Sequence, residues 1–165
     1  MNFQKITLFA CALLFSITMI AQKPLPDAEV KTLEGETLNL QDLGKSGKIT
    51  VISFWATWCK PCNNELDAIA ELYEDWQEEY DMELVAITID TRRAFAKVPG
   101  WVETKRWDYR VLHGNETEMQ TAFNFQTIPQ TILVDQNGNV VYRHNGYQQG
   151  DEIELEEKIA ELAKK

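Results

Sequence analysis

The chain has 165 residues, a formal net charge of −10 at pH 7, 44% hydrophobic and 25% charged residues, and three cysteines. An acid excess without clustered Lys and Arg excludes nucleic acid as a partner, because phosphate binding needs concentrated positive charge. The length suits a single domain with its own core.

Residues 1–21 read as an export signal: Lys5, the apolar run Ile6 to Ile20, then Ala21 before the polar, proline-containing Gln22-Lys23-Pro24. Cleavage after Ala21 is expected, although Met19 stands at the −3 position where a small residue is usual. An uncleaved anchor is the alternative, and the run is shorter than the roughly 20 residues of a membrane-spanning helix. Cys11 belongs to this run, which leaves the mature chain one matched cysteine pair. Removing residues 1–21 takes away Lys5 and no acid, so −10 becomes −11 over about 144 residues. The expected location is outside the cytoplasm, periplasmic or exported.

Residues 22–29, with two prolines and no periodicity, read as a linker, and a domain runs from 30 to 165. Val30 to Leu33 and Thr37 to Leu40 flank Glu34-Gly35-Glu36, the pattern of a hairpin. Ile49 to Phe54 is a nearly continuous apolar strand of the kind buried on both faces. Where it ends stands Trp58-Cys59-Lys60-Pro61-Cys62, followed by Leu66, Ile69, Tyr73, Trp76 and Tyr80 at helical spacing. The acids Glu71, Glu74, Asp75, Glu78 and Glu79 read as the solvated face of that helix. Leu84 to Ile89 is a further buried strand, ending at Asp90. Phe95 to Trp107 can be helical, with a break or late start at Pro99-Gly100. A strand at Arg110 to Leu112, a helix at Glu116 to Phe123 and a strand at Thr131 to Val134 follow. Asn137-Gly138 before Val140 to Tyr142 signals a hairpin with a type I′ turn, since both residues accept positive φ. A last helix starts near Asp151 and ends in Lys164-Lys165, complementing its dipole at both ends. Alternating strands and helices argue for an α/β fold, a central mixed sheet with helices on both faces.

The two cysteines carry the chemistry. Cys59 falls at a helix N-terminus, where orphan N–H groups favour a thiolate, and Cys62 follows one turn later on the same face. Lys60 adds a positive charge, and Pro61 suits a first helical turn. A zinc site needs four ligands, and the only histidines are His113 and His144, far apart in sequence. A structural disulfide over so short a loop stabilises little. The pair therefore reads as redox-active, with no metal and no cofactor expected.

Phe54-Trp55-Ala56-Thr57-Trp58-Cys59-Lys60-Pro61-Cys62 resembles the active-site segment of the TlpA/ResA-like branch of thioredoxin-fold proteins. Thr127-Ile128-Pro129 resembles the cis-proline loop of that family, Gly146 a glycine found before its last helix, and Arg92 to His113 the helix and strand this branch inserts. The resemblance implies a thioredoxin-like fold, with Cys59 as attacking thiolate and Cys62 as resolving thiol. It also implies that Pro129 lies beside the disulfide and that the Ile128 backbone pairs with an extended substrate segment. Thioredoxin carries a buried acid where this chain has Ser53. ResA-like members instead place a glutamate three residues after the second cysteine, and Glu65 stands there, one turn beyond Cys62. Partial burial would raise its pKa and let it exchange a proton with Cys62. Trp58 and Trp55 either shield the disulfide and offer a docking surface or fill the core, with the core reading favoured for Trp55. Arg92, Arg93 and Lys97 read as a solvated loop.

The expected function is an extracytoplasmic thiol–disulfide oxidoreductase that reduces protein disulfides as a monomer. A reductase in an oxidising compartment must be reloaded, which implies a membrane-embedded thiol-electron transporter as partner. Reduction of apocytochrome c cysteines, for cytochrome c maturation, is one role of the branch. Two alternatives remain at this point: a copper-handling chaperone using the same cysteines with His113 or His144, and an oxidant that installs disulfides.

Overall fold

The computed structural model describes residues 23–164; the expected signal over residues 1–21 lies outside the described residues. Among these, the strands are β1 (Lys23–Pro24), β2 (Glu29–Thr32), β3 (Thr37–Asn39), β4 (Ile49–Trp55), β5 (Met82–Thr88), β6 (Arg110–Gly114), β7 (Gln130–Val134) and β8 (Asn139–Asn145). The helices are α1 (Leu40–Leu43), α2 (Lys60–Tyr80), α3 (Arg92–Phe95), α4 (Val98–Lys105), α5 (Glu116–Phe123) and α6 (Asp151–Ala163). The strands form one mixed sheet in the order β1-β8-β7-β4-β5-β6-β2-β3. β4, β5 and β6 run parallel, and β7 returns antiparallel along the other side of β4.

Every residue of β4 is buried, as its apolar run requires of the strand between β5 and β7. Its side chains alternate between two faces. Phe54 packs on Phe123 of α5 and on Phe125, with ring centroids 4.8 Å away in both cases. Ser53 on the opposite face meets α2, whose stripe Leu66, Ile69, Tyr73 and Trp76 is buried. Leu155, Ile159 and Leu162 of α6 are buried as well, and this helix packs beside α2. Helices therefore cover both faces, as the alternation of elements implies.

The inserted segment obeys its proline. The helix expected from Phe95 starts at Val98 instead, with Pro99 in its first turn, where the missing N–H costs nothing. A separate short turn of helix, α3, precedes it.

Two expectations are corrected. The β7–β8 connection is not a type I′ turn, because Gly138 has φ +80° while Asn137 does not enter the positive-φ region. Asp135 decides this: its Oδ1 accepts from the N–H groups of Asn137 and Asn139, and its carbonyl accepts from Gly138 N. One left-handed residue and a bulge in the ladder then suffice. Gly138 is also where the chain approaches Gly44 closely, and a Cβ there would lie 2.9 Å from the Gly44 carbonyl. Residues 22–29, read as a linker, supply β1, which pairs with β8, and the buried Leu25, whose N–H donates to the Gly138 carbonyl. That contact is long-range, so local composition does not show it.

Candidate active site

The segment that joins β4 to α2 ends at Cys59, which caps the helix: its Sγ accepts from the Cys62 N–H at 3.3 Å. Cys59 and Cys62 form a disulfide, with Cα atoms 5.3 Å apart. Cys62 is buried completely and Cys59 is only 5% exposed, so the attackable sulfur is reached across a narrow surface. Trp58, 67% exposed, stands beside it, whereas Trp55 is wholly buried against Trp107. The Ile128–Pro129 bond is cis, and the Ile128 carbonyl lies 3.9 Å from Cys59 Sγ.

Two tethers hold this segment in place. The buried carboxylate of Asp90, just past β5, accepts from the backbone N–H and the hydroxyl of Thr57 at 2.9 and 3.0 Å and from the Thr88 hydroxyl. Asn63, on the first turns of α2, donates to the Cys59 carbonyl at 2.7 Å and accepts from the Trp101 indole of α4 at 2.8 Å. The insertion is thus bonded directly to the helix that bears the cysteines.

Behind the disulfide, Glu65 is buried between sheet and helix, 4% exposed. Its carboxylate accepts from the Ser53 hydroxyl of β4 at 2.9 Å and from the Thr131 hydroxyl of β7. Burial pushes its pKa up from the ordinary 4.5 to about 7, and the two hydroxyl bonds only moderate that rise. Loss of solvation therefore outweighs hydrogen bonding here, and the group is poised to give or take a proton near neutrality.

With this geometry, a match of residues 21–143 to the model of the AhpC/TSA family decides the kinship. The chain belongs to the AhpC/TSA family. It is 30% identical over 132 residues to the thiol-disulfide oxidoreductase ResA of Bacillus cereus, covering 80% of this chain and 73% of that one. A thioredoxin-like protein of Porphyromonas gingivalis is similar in structure, with TM-score 0.76 and 42% identity over 85% of this chain and 92% of that one. A thiol:disulfide interchange protein DsbE of Chlorobium tepidum shares the fold, with TM-score 0.74, 21% identity and coverage of 86% and 96%. The resemblance to the TlpA/ResA-like branch holds, and the protein is a thiol–disulfide oxidoreductase of thioredoxin-like fold with its cysteine pair at disulfide distance.

Of the positions singled out from sequence, the structure gathers Cys59, Cys62, Ile128 and Pro129 at one end of the sheet and sets Glu65 one turn behind, in the interior. Each histidine weighed for copper has a partner other than the cysteines. His113 Nε2 pairs with the Asp90 carbonyl, and His144 Nε2 pairs with Asp151 Oδ2. Among the described residues, no group of three His, Cys, Asp or Glu side chains could hold a metal. Asp90, Asn63, Trp101 and Thr131 escaped the sequence reading. Each has a partner 33 to 66 residues away, which no local pattern marks.

Proposed function

We propose that the protein reduces disulfides of proteins outside the cytoplasm, with Cys59 as the attacking thiolate and Cys62 as the resolving thiol. The observation that supports this reading is the buried Glu65 one turn from Cys62. Strong oxidants of this chemistry are those whose reduced form is stabilised, usually as thiolate. A carboxyl on the same buried helix face works against an anion at Cys62 and so favours the disulfide product. It also receives the proton that Cys62 must lose before it can resolve the mixed disulfide.

The substrate segment lies along the open groove of about 380 Å³ between Pro61, Pro129 and Tyr147, and its backbone pairs with Ile128. Trp58 gives it an apolar contact beside the reactive sulfur. The export-type sequence of residues 1–21 supports work outside the cytoplasm, and a membrane thiol-electron transporter then returns electrons to the pair.

Equilibration with graded thiol redox buffers, read by alkylation and mass, tests the direction. A midpoint near or below about −250 mV bears out the reductase, and one near −120 mV makes the protein an oxidant.

A further inference from the structure

Glu65 is almost wholly buried, yet it borders a small cavity toward β8 and α6. Glu65 and Thr131 line a cavity of about 10 Å³ together with Tyr142, His144 and Asp151. That is the volume one water molecule needs, and the walls offer several polar partners for it. His144 and Asp151 also line the open groove of about 380 Å³ beside Pro61 and Pro129. Both side chains are about 30% exposed, so one pair of residues has the buried carboxyl on one side and solvent on the other.

The pair is built for transfer. Asp151 Oδ2 accepts from His144 Nε2 at 3.0 Å and is itself held by the Gln148 N–H at 2.7 Å. This fixes the proton of the neutral imidazole on Nε2 and leaves Nδ1 as the base. When Nδ1 takes a proton, it can donate to the Tyr142 oxygen, 3.4 Å away, whose own O–H donates to Glu154 at 3.1 Å.

We propose that His144, positioned by Asp151, is the proton relay between Glu65 and solvent, through one water in the cavity that they share. The proposal rests on Glu65 being the proton acceptor of Cys62. In the closing step the Cys62 proton passes to the Glu65 carboxylate and Cys62 Sγ attacks Cys59 Sγ. The Cys59–Cys62 bond forms, the Cys59–substrate bond breaks, and the electron pair leaves on the substrate sulfur. The cysteine pair is oxidised and the substrate disulfide reduced. Glu65 must be ionised for this, so a protonated Glu65 first passes its proton by way of the water to Nδ1, and the Nε2 proton leaves to the groove. The other titratable groups facing Glu65 or this cavity are Tyr109, Tyr142, Tyr147 and Glu152. Burial pushes all three tyrosines upward, so they stay protonated throughout the neutral range.

The test mixes reduced protein with an aromatic disulfide whose thiolate absorbs; the second release of that thiolate reports closure by Cys62. Below about pH 7, where Glu65 starts protonated, His144→Gln and Asp151→Asn are expected to slow this release about tenfold or more. Above that pH, where the exit is not needed, the slowing is expected to fall away relative to that below it, so that the ratio of variant to parent rate depends on pH. Slowing by the same factor at every pH shows a structural role only and overturns the relay. So does a profile that merely slides, upward in pH for His144→Gln and downward for Asp151→Asn, because the positive charge of a protonated imidazole lowers and the Asp151 charge raises the Glu65 pKa. His144→Asn serves if the glutamine variant melts early. Glu65→Gln separates the two readings: if it leaves the profile unchanged, Glu65 is not the acceptor, whereas a changed profile with intact His144 and Asp151 variants removes only the relay.

Discussion

Ser53 and Phe54 are consecutive residues of one strand, both fully buried, and they face different interiors. The Phe54 side is an aromatic core with Phe123 and Phe125, where shape and apolar area provide the stability. The Ser53 side holds a carboxyl that burial makes costly to ionise, with the two hydroxyls of Ser53 and Thr131 offsetting part of that cost. The sheet's α5 face thus stabilises the fold, while its α2 face keeps a titratable group one helical turn behind Cys62.

The largest effect on that contrast is expected from Phe54→Ala. Loss of the ring and the cavity left behind should destabilise by about 3–5 kcal/mol. The redox midpoint of the surviving folded protein should stay in place, and denaturant unfolding beside redox titration checks both.

Glu65→Gln should do the reverse. The folded pKa of Glu65, about 7, lies above its ordinary 4.5, so the native state binds more protons than the unfolded chain across that window. Stability from this group is thus full below about pH 4.5 and declines as pH rises to about 7, by on the order of 3 kcal/mol in total. Glutamine removes that decline, and unfolding curves at pH 5 and pH 8 should show the variant losing less stability than the parent between them.

Asp90→Asn sharpens the picture at the disulfide itself. An amide cannot accept all three hydrogen bonds from Thr57 and Thr88, and the variant should lose about 1–3 kcal/mol. Because Thr57 lies two residues from Cys59, the rate of reaction with a small disulfide should fall with it, measured by stopped flow.

Trp101→Phe is the smallest change. It removes the indole donor from Asn63 and should cost about 0.5–1.5 kcal/mol. Faster amide exchange at the first turn of α2, with the far end of the helix unchanged, is the expected signature.

Legibility in the sequence follows the range of the interactions. The periodicity after Cys62 marks α2, and its spacing puts Glu65 on the turn after the cysteines, because both are properties of a few consecutive residues. The strand Ile49 to Phe54, the helix Glu116 to Phe123 and the late start of α4 at Val98, just before Pro99, are readable for the same reason. The β7–β8 turn departs from its strongest local signal because another competes with it: Asn137-Gly138 accepts a type I′ turn, but the Asp135 carboxylate takes the N–H groups that define the actual one.

By itself, then, the sequence determined the order of the longer strands and helices, without β1, α1 and α3, together with the redox pair at the head of α2 and an acid one turn behind it. Local propensity and side-chain period are enough for those. Only the tertiary structure decided that this acid is buried, that Asp90 and Asn63 hold the cysteine segment, and that His144 and Asp151 stand between Glu65 and solvent. Desolvation and hydrogen bonds across a sheet depend on which distant segments meet, and that is set by the strand order of the sheet and the packing of α6 against α2.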